Sequence, residues 1–302
     1  MKMMIAILVL TVVGLGPAGA IAEEAADKTM EELSKEIANP LAQIWNLSFQ
    51  HNRTLVSGDL LDGDDRVNTT LFQPVLPIPA GDTYTFFARP VVTLINGPSS
   101  GMISGGTPTD PIGHGTDRTT EFGDTILPVG FGKVQMLGWS YGAGLTFILP
   151  TSQNDLLGSH QYQAGPTALG LWANENWMFG AHLQHWWGIG NDGKSDDDPL
   201  IAAAHARDIN HTDIQYFAVH HLPDSWQLRA SPHVRIDWKA GSGEKLTFPI
   251  GLGVGKMIKI GPMPVMLMAE YQYSLISPDS IGSESTFVFM ANFIIKNPFG
   301  DL

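Results

Sequence analysis

Apolar residues recur at every second position along most of the chain, and the clearest run is Trp226-Gln227-Leu228-Arg229-Ala230-Ser231-Pro232-His233-Val234-Arg235-Ile236-Asp237-Trp238. One face carries Trp226, Leu228, Ala230, Pro232, Val234, Ile236 and Trp238; the other carries Gln227, Arg229, Ser231, His233, Arg235 and Asp237. A period of two places successive side chains on opposite faces of an extended strand. Tryptophans at both ends of the apolar face are what a lipid-facing strand with two aromatic girdles requires. The period recurs in Trp45–Gln50, Thr83–Leu94, Gly138–Leu149, Trp177–Trp187, Leu246–Val254 and Val265–Ser274, and more weakly near 68–78, 121–131, 162–173, 209–221 and 285–296. The pattern predicts about twelve strands.

The connections alternate in length. Those near 53–66, 97–119, 150–161, 190–208 and 276–284 are long and rich in Gly, Asp, Ser or Pro. Pro79-Ala80-Gly81-Asp82, Gly132–Met136, Asn174-Glu175-Asn176 and Pro223-Asp224-Ser225 are short; a modest outer loop near 239–245 and a longish inner turn near 256–263 break the rule. Short turns on one side and long loops on the other fit an antiparallel up-and-down barrel whose short turns face the periplasm. A soluble sandwich has no reason to keep that alternation. The expected fold class is therefore all-β: a transmembrane antiparallel β-barrel of about twelve strands.

The N-terminus reads differently. Lys2 precedes an apolar run from Met3 to Leu15, followed by the small-residue sites Ala18-Gly19-Ala20 and Ala20-Ile21-Ala22. A charged start, a short apolar core and an A-x-A exit mark a cleavable signal peptide rather than a membrane anchor. Residues 1–22 are assigned to it. Glu23–Ala38 lacks Gly and Pro and puts Met30, Leu33 and Ile37 on one face, so a helix is expected there, ended by Asn39-Pro40. The segment 23–40 is then a periplasmic helical leader or a plug, with the solvated leader slightly favoured, and 41–302 is the barrel.

Composition narrows the function. The formal net charge is −13, which disfavours nucleic acid as a partner, since phosphate binding needs clustered Lys and Arg. There is no cysteine, so disulfides, thiolate-bound metals and cysteine nucleophiles are excluded. After the signal no window approaches the roughly 18 apolar residues of a membrane helix. An exported chain of this pattern belongs in the outer membrane of a Gram-negative bacterium. Its expected partners are outer-membrane lipid and lipopolysaccharide, the barrel-assembly machinery during insertion, and a small-molecule solute.

Ten histidines invite a metal or catalytic reading. His182 and His185 lie on opposite strand faces, as do His220 and His221, so neither pair ligates one ion from a regular strand; no metal and no other cofactor is expected. Barrel hydrolases set His and Ser two residues apart on one face, and no histidine here has Ser two positions downstream, so no catalytic residue is assigned and the chain is read as a non-enzyme. The acidic stretches Asp59–Asp65 and Asp192–Asp198 lack the full ligand spacing of a calcium loop and read as solvated outer surface. Arg89, His182, Gln184, Arg229, His233, Arg235, Asp237, Glu270 and Gln272 fall on the polar faces and are the candidate lumen-lining residues. An arginine on the lipid face would cost roughly 2–4 kcal/mol at mid-membrane, which is the energetic reason to turn them inward.

Several stretches resemble a bacterial outer-membrane barrel family labelled as meta-pathway phenol degradation proteins, as transporters or, misleadingly, as neuromedin U. They are Leu33-Ser34-Lys35-Glu36-Ile37-Ala38-Asn39-Pro40-Leu41-Ala42, Phe49-Gln50-His51-Asn52, Gln73-Pro74-Val75-Leu76-Pro77, Glu121-Phe122-Gly123-Asp124-Thr125, Gly165-Pro166-Thr167-Ala168 and Pro249–Lys256. The resemblance spans roughly 33–296 and implies a porin-like role in moving small, including aromatic, molecules. It transfers no catalytic residue. Many barrels finish on an aromatic residue, whereas this chain runs past Phe299 to Gly300-Asp301-Leu302. The expected function is an outer-membrane channel or transporter-like barrel for small solutes, hydrophobic or aromatic ones included. The alternative is a structural or adhesive surface barrel with a blocked lumen.

Overall fold

Strands that carry an apolar face into lipid must satisfy every backbone donor and acceptor among themselves, because hydrocarbon offers neither. The computed structural model meets that demand by closure. It describes residues 28–61, 63–81, 83–98, 118–152, 158–193, 206, 208–295 and 297. The expected signal peptide, the first part of the expected helix, Asp62, most of the 97–119 loop and the acidic run 194–198 lie outside the described residues.

Among the described residues one α-helix, α1 (Met30–Ala38), precedes fifteen strand segments. These are β1 (Trp45–Ser57), β2 (Asp65–Ala80), β3 (Tyr84–Ala88), β4 (Val92–Pro98), β5 (Arg118–Phe122), β6 (Thr125–Lys133), β7 (Gly138–Leu149), β8 (Gln161–Ala173) and β9 (Trp177–Asn191). They continue as β10 (Asn210–Leu222), β11 (Trp226–Ala230), β12 (His233–Asp237), β13 (Leu246–Ile260), β14 (Met263–Ile276) and β15 (Gly282–Ile295). Three wall strands are each broken in two: β3 with β4, β5 with β6, and β11 with β12. The wall therefore has twelve antiparallel strands, each hydrogen-bonded to its neighbours in sequence, and β1 pairs with both β2 and β15 to close it. An open two-layer sandwich is ruled out by that last ladder.

Two of the breaks fall at prolines. Pro90 and Pro232 lack the amide proton a ladder needs, so pairing stops there and resumes beyond. The long run 226–238 is thus two short strands, and Pro232, expected to face lipid, is fully buried at the break. Two boundaries also move. The loop expected at 53–66 shortens because Arg53–Ser57 continue to pair with Gly282–Phe287. The inner turn expected at 256–263 shrinks to Gly261 and Pro262: Lys256–Ile260 keep their ladder to Met263–Leu267, and Gly261 takes the left-handed conformation (φ +61°) the reversal needs.

Outside, the alternation produces a continuous apolar band. Phe131, Leu145, Leu183, Leu252 and Phe289 are exposed, Leu252 at 69%. Such a surface is intolerable in water and ordinary in lipid. Trp139, Trp177 and Trp226 stand exposed at the short-turn end, and Trp187 and Trp238 at the long-loop end. They form the two girdles. Lys256 Nζ sits 4.9 Å over the Trp226 ring, where an interfacial cation is expected.

Candidate functional site

The lumen is built from the inward half of each strand, and its two ends differ in chemistry. At the short-turn end the inward residues are apolar and meet the N-terminal segment. Thr29 caps α1: its side chain accepts from the Glu32 amide while the Glu32 carboxylate accepts from the Thr29 amide at 2.7 Å. That amide bond is the chief reason the Glu32 carboxyl is held below its ordinary range. The helix ends where Asn39 adopts extended geometry before Pro40.

Leu33 of α1 packs on Met257, Met266 and Ile294, from β13, β14 and β15. Leu41, only 1% exposed, packs on Phe87, Leu169, Leu171, Met178, Phe217 and Val219, from β3, β8, β9 and β10. Those strands stand on opposite sides of the wall, so residues 33–41 lie across the lumen. A Cβ at Gly132 would lie 3.2 Å from Leu41 Cδ1, so the bare glycine makes room for the anchor. Polar ties are fewer: Gln227 Nε2 donates to Ser34 O (2.7 Å) and Ser34 Oγ (3.0 Å), and Asn39 Nδ2 reaches Gln135 O at 3.4 Å.

Above this floor the inward face turns polar around a cavity of about 620 Å³. Arg89, His182, Gln184, His233, Arg235, Asp237 and Gln272 line it. Arg229 and Glu270, also singled out from sequence, lie below it. Arg229 contacts Met268 Sδ, and Glu270 is committed to the wall: it accepts from Ser231 N (2.9 Å), Ser231 Oγ (2.7 Å) and Gln272 Nε2 (2.9 Å). Its carboxylate thereby satisfies the backbone donor that the Pro232 break leaves without a ladder partner. Asp237 Oδ1 caps the outer turn, accepting from the Lys239 and Ala240 amides.

Several residues that sequence did not single out complete the belt. Asp213 takes His233 Nδ1 at 2.7 Å and Arg235 Nε at 3.5 Å. Arg89 donates through Nη2 to Gln73 Oε1; Gln73 Nε2 donates to Gln50 Oε1 (2.8 Å), and Gln50 Nε2 to Asn52 Oδ1 (2.8 Å). His182 shares a hydrogen bond with Thr167 Oγ1 (2.8 Å), and His211 one with Gln163 Oε1 (2.7 Å), its ring stacked on Trp186 at 5.0 Å. Val91, Ile126 and Ile148 form an apolar side beside Arg89. Among the described residues no group of three His, Asp or Glu side chains is placed to hold a metal ion.

On the outer face His185 Nδ1 lies 2.7 Å from Thr212 Oγ1, which also accepts from Trp238 Nε1 at 2.8 Å. At the rim, Asp124 accepts from Ser152 N (3.2 Å), Ser159 N (2.8 Å) and Ser159 Oγ (2.8 Å), tying the 150–160 loop to the break between β5 and β6.

No protein-family model matches the chain, and no curated protein matches it. Solved structures do. An outer membrane channel from Pseudomonas putida F1 aligns at TM-score 0.53 and 14% identity, over 83% of this chain and 94% of that one. The NanC porin aligns at 0.48 and 10% identity, over 83% and 99% of the two chains. The toluene transporter TodX of Pseudomonas putida aligns at 0.42 and 10% identity, over 87% and 93%. At these identities the likeness is one of fold. The closed wall, the apolar band and the two tryptophan girdles, together with the fold shared with the Pseudomonas putida F1 channel, make the chain a transmembrane β-barrel of the Gram-negative outer membrane.

Proposed function

We propose that the chain is a non-enzymatic outer-membrane channel or transporter-like barrel for small solutes, aromatic or hydrophobic ones included, with residues 29–42 acting as its periplasmic plug. The observation that carries this reading is the polar space above the Leu41 floor: a barrel of purely structural role has no need of a cavity of about 620 Å³ lined by charged side chains. The apolar side at Val91, Ile126 and Ile148 and the Trp186 ring suit a solute with a ring or short hydrocarbon body. The resemblance to the phenol-degradation barrel family supports the same class and makes membership in it part of the proposal. Non-enzymatic function is supported by the outward His185–Thr212 pair: Thr212 is 7% exposed and its oxygen already accepts the Trp238 indole proton, a poor setting for a nucleophile.

The plug favours a second reading, a surface barrel with a permanently blocked lumen. Planar-bilayer recording separates the two. The channel reading expects ion conductance from the intact barrel and a larger one when residues 29–42 are deleted. No conductance from either protein would defeat it and leave the blocked barrel.

A further inference from the structure

We infer that the lumen contains a carboxylate-binding site centred on Arg89, which takes a small organic acid with a compact apolar body. This deepens the channel reading and rests on it for the route by which the acid would pass, though not for binding itself.

Charges facing the cavity are unevenly paired. Asp213, facing the same cavity, has two cationic partners, His233 and Arg235. Arg89 has no carboxylate within ion-pair reach among the described residues. Its Nη2 donates to a neutral amide oxygen, and its Nε is buried with no hydrogen-bond partner. A guanidinium held this way keeps a donor unsatisfied, at a standing cost that a ligand oxygen would remove. The fork of Nε and Nη is the edge that receives a carboxylate in bidentate pairs; Nε is shielded in the ligand-free barrel, so a carboxylate engages that edge as the guanidinium turns from Gln73 toward the cavity.

The cation is also fixed in place. Arg89 follows β3 at the wall break, where its amide donates to Pro128 O at 3.1 Å. The relay from Asn52 through Gln50 to Gln73 turns the Gln73 oxygen toward the guanidinium, so Arg89 is aimed by neutral groups, and Asp213, whose direct contacts are His233 and Arg235, opposes its charge only through space. Two residues on, Val91 bridges Ile126, which pairs with Ile148; all three line the same cavity. A charge fork beside an apolar patch selects a ligand with a carboxylate at one end and hydrocarbon at the other. A volume of about 620 Å³ lies within the range of small-molecule sites, roughly 300–1,000 Å³.

The test is calorimetric titration of the detergent-folded full barrel with sodium benzoate, its neutral isostere benzamide, benzylamine and inorganic phosphate. Benzoate is expected to bind at least about tenfold more tightly than any of the other three. Arg89→Gln should erase the preference, and Arg89→Lys should keep part of it by retaining charge without the fork. Gln73→Glu leaves Arg89 in the wall and supplies it an internal carboxylate, so it should abolish benzoate binding even if Arg89→Gln fails to fold. Benzamide or phosphate binding as tightly as benzoate would overturn the inference, as would an unchanged preference in Gln73→Glu. Bilayer recording keeps the two readings apart. Conductance with no benzoate preference sinks the site and leaves the channel; benzoate binding lost in Gln73→Glu, in a barrel that never conducts, supports the site and sinks the channel.

Discussion

Leu41→Ala is the sharpest single perturbation of the docked N-terminal segment. Leu41 is 1% exposed and shares one buried cluster with six inward residues on four strand segments, yet it belongs to none of the strands. Truncating so buried a leucine costs about 2–5 kcal/mol, the spread reflecting how far the surroundings collapse into the space. Gly132 and Gly142 line that space, and bare glycines cannot reach inward to refill it, which argues for the upper part of the range. The loss falls on docking of the segment and not on closure of the wall, whose ladders do not include residue 41. If the segment docks and undocks as a unit, the open fraction rises on the order of 30-fold to a few thousand-fold. Two assays follow it: trypsin cleavage at Lys35 of the folded barrel, and open probability in planar bilayers. Both should rise together, while the heat-induced shift of the folded band on a gel stays near that of the unaltered protein. Unchanged cleavage and conductance would refute the claim that Leu41 holds the segment down; a large fall in barrel stability would show that it supports the wall instead.

Other consequences follow from single contacts. The Glu32 carboxyl is held below its ordinary value of 4.5, so its contribution to the cap is present above that value and lost as pH falls through the lower, folded one. Acidification through the lowered carboxyl range should therefore loosen the docked segment, read as faster amide hydrogen exchange across Met30–Ala38, and Glu32→Gln should flatten that dependence by removing the titrating group. Glu270→Ala strips the Ser231 amide of its acceptor at the wall break, an unsatisfied buried donor worth about 1–3 kcal/mol, and should lower the temperature at which the folded gel band disappears. Leu252→Arg puts a charge on the lipid face at about 2–4 kcal/mol and should reduce the folded yield in vesicles, whereas Gln272→Lys, one strand over and inward, should not.

The outward face was legible from residue order because lipid enforces a strict rule: every second position is apolar, with tryptophan at the ends. The lumenal face was only half legible. Near the plug it is apolar too, since Leu169, Leu171, Phe217, Val219, Met257 and Met266 pack on Leu33 and Leu41. In β10 this blurs the alternation, and Asp213 higher on the same strand went unmarked although it anchors the His233–Arg235 pair. Gln50 and Gln73 escaped for a different reason. Amides in a prolyl stretch such as Gln73–Pro77 carry no signal of their own, and their importance comes from being aligned with Arg89 across strands. The helix was foreseen and its Met30–Leu33–Ile37 face is the one that packs, but the T-x-x-E cap at Thr29–Glu32 was the readable sign of where it starts. Whether such a segment floats or docks depends on the apolar lumen facing it, a property of seven distant stretches of chain at once.

Closure with lipid outside and water inside is the claim on which everything else stands, and the absence of cysteine makes it directly measurable. Single cysteines placed in turn at 226–230 and 233–237 in vesicle-inserted protein can carry a nitroxide, whose collision rates with dissolved oxygen and with a water-soluble nickel chelate report lipid and aqueous exposure. The account predicts a period of two in opposite phase: labels at Leu228 and Val234 favour oxygen, and labels at Gln227, Arg229 and His233 do not. Uniform accessibility, or the reverse phase, would contradict it.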